Sequence, residues 1–347
     1  MIRDAGSSAL ALDWSKFDAL AAARCTVGVA IPLTVGVMIG QPSIGVFGAV
    51  GALSVGFGSF QDTEHGRVPA MFLAAIAMAV SLFVGTLAGH STLAATMAAA
   101  VWGLGSGLLT APGPAASFVG LQASVGLLIA LALPADAGAA TERAGLVLAG
   151  GFLEILLLFA ARPRTPVDTR ALRTKAASSF RELHENATLG SPARSHALRL
   201  AVAMAAATAM YRWLAWPRGS WIPLTALLVL KPELHETFAR GLARMGGTII
   251  GAACATAITV ALAPGETQLT VLAVFFVWAG YVLFRTNYGL FTICITAYVV
   301  FLVVLAGGAE PATAKYRIIN TLIGGGLALM FAAVWPSPRS EESIQDR

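Results

Sequence analysis

The stretch Lys231–Gly251, KPELHETFARGLARMGGTIIG, carries the residue types best suited to hold an anion. Glu233, Thr237, Arg240, Arg244, Thr248 and Gly251 recur at steps of three or four, so a helix gathers them on one face. Arg240 and Arg244 stand one turn apart, an arrangement that repels itself unless something negative is nearby. An apolar run follows from Met245 to Ala263, long enough to cross a bilayer. Arginines at such a position often only mark a helix end and snorkel to lipid phosphates. The aligned Thr and Gly describe instead a face that is packed or solvated. The candidate anion-binding residues are therefore Lys231, Thr237, Arg240, Arg244 and Thr248. Arg67, in SFQDTEHGRVPAMF with Asp62, Glu64 and His65, joins them from an earlier part of the chain.

Glu154 is the second chemical feature. It sits in GGFLEILLLFAARP, well inside an apolar run. A carboxylate at that depth costs ~2.5–3.5 kcal/mol on insertion scales and marks a proton-coupling residue, an ion pair to a neighbouring Arg, or a neutral acid. The remaining polar residues form no catalytic set. His235-Glu236 is not followed by a second His at metalloprotease spacing, and no P-loop or nucleophile-elbow motif is present. Cys25, Cys254 and Cys294 are isolated in or near apolar runs, without metal or disulfide spacing. No enzyme activity, cofactor or metal is expected.

These residues need helices in a membrane to position them. Charged residues make up 12% of the chain and hydrophobic ones 57%, about half the charge of an ordinary soluble domain. The apolar runs are continuous rather than alternating, which indicates an all-α polytopic membrane protein and not a barrel. Twelve membrane segments are expected, near 21–39, 44–60, 68–88, 91–110, 115–133, 143–161, 196–216, 220–231, 243–263, 267–285, 287–306 and 315–335. The second is Gly-rich and the eighth is short, between Pro223 and Pro232. Paired weak segments of this kind are the sequence pointer to a transport site, because broken helices present free amides.

The chain also repeats. Arg24 matches Arg199, Arg67 matches Arg244, Trp102 matches Trp278, Arg143 matches Arg317, Gly150-Gly151 matches Gly324-Gly325 and Pro163 matches Pro336, all at offsets of 173 to 177. Glu154 has Ala328 at the equivalent position. Two six-helix repeats in the same orientation follow, at 21–161 and 196–336, related by a pseudo-two-fold axis along the membrane normal. With both termini cytoplasmic, 18 of the 23 Lys and Arg residues lie inside and 5 outside, as the positive-inside rule requires. That rule also accounts for the net charge of +5 without nucleic acid as a partner. Residues 1–20 read as an interfacial segment without a cleavable signal, with Leu10, Trp14, Phe17 and Leu20 near one helical face. Residues 162–195 read as a basic amphipathic linker on the inner leaflet, and 337–347 as a tail. Membrane lipids are thus expected partners, and the oligomeric state is open.

At these motifs the chain resembles the fusaric acid resistance and aromatic acid exporter family. The resemblance rests on Trp221, Pro223, Thr225, Lys231-Pro232, Thr237, Arg240, Arg244, Gly247-Thr248 and Gly251. Further along it rests on Asn287-Tyr288, Thr296, Arg317, Asn320-Thr321, Gly324 and Trp335-Pro336. It is fuller in the second half than in the first. It implies a bacterial inner-membrane efflux protein for aromatic carboxylates, often working with a periplasmic adaptor. Larger members carry an extended soluble region where this chain has a short linker. Plant malate channels of related architecture line an anion path with arginines. The expectation is an inner-membrane, proton-driven exporter of small organic anions, with a passive anion channel and a non-transporting scaffold as the alternatives.

Overall fold

The computed structural model describes residues 12–61, 67–161, 169–186, 191–308 and 310–335. Among them every regular element is helical. The first half contains α1 (Ala19–Met38), α2 (Pro42–Gly56, continued by a tighter turn over Phe57–Phe60), α3 (Val68–Ala88), α4 (Thr92–Leu108), α5 (Pro114–Leu131) and α6 (Ala137–Ala161). The linker holds α7 (Thr169–Asn186). The second half contains α8 (Pro192–Trp213), α9 (Trp221–Val229), α10 (Leu234–Leu262), α11 (Glu266–Leu283), α12 (Tyr288–Leu305) and α13 (Glu310–Val334).

Nine helices of the described residues are long and apolar enough to cross a membrane. This makes the protein an all-helical, multi-pass membrane protein. Three expected segments fall short of that measure. α4 is apolar but has 17 residues. α8 carries Arg194, His196, Arg199 and Arg212, which lower its hydropathy. α9 has nine residues, about 14 Å at 1.5 Å each, and it breaks at Lys231-Pro232. α10 is longer than expected: it starts at Leu234, because the basic amphipathic stretch before Met245 continues the same helix. Residues 62–66, which include Asp62, Glu64 and His65, lie outside the described residues, as do Pro163, Pro336 and the ends of the linker.

The N-terminal segment departs from a continuous interfacial helix. Asp13 accepts from Ser15 N, closing a short turn at Trp14–Lys16, and Asp18 accepts from Ala21 N to cap α1. Two caps five residues apart divide the segment. The first turn is tied to the second half, where Asp13 N donates to Thr286 O at 3.1 Å. Leu10 lies outside the described residues.

Helix packing follows a mirrored pattern. In the first half α3 packs on α5 and α6, α2 on α1 and α6, and α4 on α5; in the second, α10 packs on α12 and α13, α9 on α8 and α13, and α11 on α12. The halves meet where α4 lies on α8 and where α11 lies on α1. Glycines permit the closest crossings: a Cβ on Gly150 would strike Gly48 O, and one on Gly324 would strike Ile222 O. Such close backbone approach is how membrane helices gain packing energy. The largest apolar core joins α1 and α2 to α11 and α12 and contains Phe57, Phe60, Tyr281, Phe291 and Phe301. Two arginines tie helix ends together. Arg199, almost wholly buried, donates to Trp335 O at 2.9 Å, Lys231 O at 2.6 Å and Pro232 O at 3.0 Å. Arg212 of α8 donates to Gly89 O at 2.7 Å, across the junction of the halves.

Candidate functional site

A cavity of about 850 Å³ opens where the two halves face each other. Its wall comes from Phe60 and Gln61 at the end of α2, from the start of α10 through His235, Glu236, Ala239, Arg240 and Ala243, and from Phe284–Tyr288 between α11 and α12. Asp13 and Lys16 lie at its rim. Lys16 pairs with Asp13 at 2.9 Å, and hydrogen bonds from Ser15 and Lys16 hold the Asp13 carboxyl below its usual range. The remaining charged groups on the wall are Arg240, Arg285, His235 and Glu236. The N-terminus of α10, with no side chain capping it, lies at the same place. Its first amides and helix dipole favour an anion.

Arg240 lines this cavity, and its guanidinium lies over the Tyr288 ring at 4.4 Å. One turn deeper, Arg244 is only 4% exposed, and its Nε has no hydrogen-bond partner. Thr248, one further turn along, is fully buried with a free Oγ1. The structure therefore brings together Arg240, Arg244 and Thr248 as a line from cavity to interior. A buried guanidinium without a counter-charge is costly unless a carboxylate or similar anion visits it.

The other expected residues are placed differently. Thr237 is buried, but its hydroxyl accepts from Lys231 N at 2.9 Å and reaches Glu233 O at 2.9 Å. It pins the break before α10. Lys231 contributes its backbone to the same knot, and its carbonyl is held by Arg199. At the start of α9 the first amides are taken up by the loop before it: Trp221 N donates to Arg218 O and Ile222 N to Gly219 O. Arg67 remains in the first half, where its Nε donates to Gln61 O at 3.1 Å. It adjoins the cavity through Gln61 and does not line it.

Glu154 lies elsewhere. It is fully buried, and neither carboxylate oxygen has a hydrogen-bond partner. Gly28 and Gly56 make room for it: a Cβ on Gly28 would strike its Oε1, and one on Gly56 would stand 3.4 Å from its Cδ. Tyr281 of the second half closes the pocket, and its hydroxyl donates to Leu53 O at 3.1 Å. Arg24 supplies the nearest positive influence without forming an ion pair. Phe57, Phe60, Tyr281 and Phe284 stack within 4.6–6.1 Å of one another. They stand between Glu154, which Tyr281 adjoins, and the cavity, which Phe60 and Phe284 line.

Arg317 is not among the sequence-predicted site residues; it stands there as a repeat marker and as one of the residues that carry the family resemblance. It is 3% exposed, its Nε has no partner, and its guanidinium lies 4.8 Å over the Trp221 ring at the start of α9. The signal was present in the sequence: Asn320, Thr321 and Gly324 follow it at helical spacing inside an apolar helix. Among the described residues no group of three His, Cys, Asp or Glu is placed to hold a metal.

Fold and site together define a multi-pass helical membrane protein with a polar, arginine-bearing interior. Residues 203–331 match the family described as fusaric acid resistance protein-like. That stretch holds α9, Arg240, Arg244 and Arg317, and the match is to the family that the motifs resemble. Similar curated proteins include an uncharacterised protein of Neisseria gonorrhoeae, 33% identical over 179 residues, 49% of this chain and 41% of that one. Another, from Synechocystis, is 30% identical over 151 residues, 43% of this chain and 20% of that one. The uncharacterised protein YhfK of Escherichia coli is 30% identical over 157 residues, 45% of this chain and 22% of that one. The chain spans less than half the length of these relatives. No solved structure matches it.

Proposed function

We propose that this protein exports small organic anions, aromatic carboxylates among them, across a bacterial inner membrane, driven by protons through Glu154. The observation that carries the proposal is the line Arg240–Arg244–Thr248, which leads from an arginine-bearing cavity to the buried Arg244, whose Nε has no partner, and to the unpaired hydroxyl of Thr248. Arg240, Arg285 and the N-terminus of α10 draw the anion into the cavity, and Arg244 receives it. Arg67, Lys231 and Thr237 shape the two breaks that frame the cavity. The frame is twelve helices in two six-helix repeats of the same orientation, with both termini and the linker cytoplasmic. The mirrored packing and the equivalent crossings at Gly150 and Gly324 support the repeat, and the distribution of Lys and Arg supports the orientation. A soluble partner, such as a periplasmic adaptor, and lipids complete the assembly.

Flux of benzoate and related aromatic acids into proteoliposomes, with and without a pH gradient, tests the reading. Accumulation against a gradient when only the pH gradient is imposed is expected. Flux that runs only downhill makes the protein a passive anion channel, and no flux with any acid leaves a scaffold. Labelling of cysteines placed in α7 from the cytoplasmic side alone is expected for the orientation.

A further inference from the structure

We propose that the second half holds a single carboxylate-transfer site between Arg244 and Arg317, completed by the hydroxyls of Thr248 and Thr296, and that the first half holds none. The proposal rests on the reading of the chain as an organic-anion exporter and locates the step at which the anion crosses the middle of the protein.

The register of α10 against α13 sets the geometry. A Cβ on Gly241 would stand 3.8 Å from the Leu329 side chain, and one on Gly325 would stand 3.2 Å from Met245 Sδ. Residue 325 is thus level with 245. The two helices pass in opposite directions, so Arg317 is level with residue 253, about 13.5 Å or two and a half turns beyond Arg244. Their long side chains bridge much of that rise, and the charge of Arg244 acts on Arg317. Thr248 falls between the two levels. Gly251, at the same depth, lets α12 approach until its Cβ position is 3.0 Å from Thr296 Cβ. Thr248 and Thr296 are both fully buried, and both hydroxyls lack a partner. Two buried arginines whose Nε groups have no partner, and two unpaired hydroxyls, spread over about two and a half turns between α10, α12 and α13, are donors waiting for an acceptor. A carboxylate supplies up to four acceptor positions and the missing charge. Trp221 backs the outer arginine and offers a face for a planar anion. Beyond it, Asn320 ties the loop before α9, donating to Arg218 O at 2.9 Å and accepting from Trp216 Nε1 at 2.7 Å.

The repeat supplies the internal control. Arg143 is the counterpart of Arg317 and Phe47 that of Trp221, and the cation–ring contact is kept at 5.5 Å. Arg143, however, is half-exposed and spends its guanidinium on Leu133 O. Arg67, the counterpart of Arg244, is held at the start of α3 by Gln61 O. At the same offset Thr248 is replaced by Met71, a buried apolar residue. The first half therefore keeps the cation–ring contact but has no buried arginine at either of these two positions; Gln122, buried in α5, stands where the 174 offset places Thr296. The first half carries Glu154 instead, where the second half has Ala328. One half handles the anion and the other the buried acid.

The test uses the whole purified chain with benzoate as the probe, read by the benzoate-dependent rise in melting temperature in detergent and by flux in proteoliposomes. Arg244→Gln and Arg317→Gln are each expected to lose the melting shift and to cut flux by about 10- to 100-fold, the effect of removing one charge-assisted contact. Thr296→Val keeps shape and should raise half-saturating benzoate about three- to ten-fold. Arg143→Gln should leave both readouts as in the parent. Full flux and an undiminished shift in Arg317→Gln and Thr296→Val, with flux lost in Arg240→Gln, would overturn the site while the exporter reading stands. An equal loss in Arg143→Gln would overturn the single-site claim. A parent without benzoate flux or shift would sink the site and the exporter reading together.

Discussion

Arg199→Met is expected to lower the melting temperature by about 4–7 °C, and the structure shows why. Arg199 is 1% exposed and donates to three carbonyls: Trp335 at the end of α13, and Lys231 and Pro232 at the end of α9. Its remaining contact is His196 Nδ1 at 3.3 Å, which must accept, because a guanidinium has no acceptor to offer. These bonds close the helix break on which the short α9, and with it Trp221, depends. Hydrogen bonds to a charged group contribute about 1.5–3 kcal/mol each, but one guanidinium makes all three, and its own desolvation offsets part of the gain. Breaking such a buried centre from one side costs about 3–5 kcal/mol. An unfolding entropy near 2.1 cal/mol/K per residue gives about 0.7 kcal/mol per degree for a chain of this length, hence the stated range. Arg199→Lys reaches fewer carbonyls and should recover about half. The measurement is thermal unfolding of the detergent-solubilised protein, followed by intrinsic fluorescence. If Arg199→Met melts within one degree of the parent, the buried staple contributes nothing and the account of the break at Lys231-Pro232 fails.

Three further outcomes are expected. Glu154→Gln keeps the shape of the acid between Gly28 and Gly56, so it should fold normally and exchange anions downhill, but should not concentrate benzoate when only a pH gradient is imposed. Gly324→Ala places a methyl against Ile222 O and Thr225 Cβ, so α9 must shift at a cost of about 1–3 kcal/mol, read as a lower melting temperature and slower flux. Gly326→Ala, with nothing within 4 Å of the added atom, is its unaffected control. Ala215→Gly relieves a left-handed residue, φ 45°, in the loop before α9, and should raise stability by about 1 kcal/mol, visible as a small upward shift in melting.

What was legible in the sequence divides along physical lines. Apolar runs report burial or bilayer contact directly, so the long helices lie close to where hydropathy put them, and the breaks at Gly56–Gln61 and Lys231-Pro232 follow from Gly and Pro. Helix ends in basic, amphipathic stretches were not legible, because the helix from Leu234 to Met245 satisfies its backbone whether or not its side chains are apolar. The use of each arginine was also hidden. Arg199, Arg212, Arg244 and Arg317 are alike as letters in apolar surroundings. Only the positions of carbonyls from distant helices separate Arg199 and Arg212, whose Nη groups donate to backbone carbonyls, from Arg244 and Arg317, whose Nε groups have no partner. Thr237 and Thr248 show the same limit: they share one helical face, yet one hydroxyl is consumed by Lys231 and the other is free.

That difference bears on how the halves divide their labour. Under the proposed repeat, equivalent positions begin with equivalent chemistry, Arg24 with Arg199 and Arg143 with Arg317. In each pair one member is bound to carbonyls and the other is not: Arg199 donates to three carbonyls while Arg24 donates to Cys25 Sγ and influences Glu154, and Arg143 is tied to Leu133 while Arg317 has no partner at Nε. The carbonyl-bound members fall in opposite halves. Under the proposed two-repeat reading, the frame holds a buried acid beside Arg24 in the first half and the buried arginines Arg244 and Arg317 in the second. The shared wall between the halves contains Tyr281 and the aromatic stack around Phe57, so any change at Glu154 that moves Tyr281 also moves Phe284 and the cavity wall beside Arg240. Coupling between acid and anion needs no direct contact under this arrangement; it needs the aromatic wall to have two packings. Tyr281→Phe, which removes the bond to Leu53 O and keeps the ring, should therefore leave benzoate binding intact while uncoupling accumulation from the pH gradient.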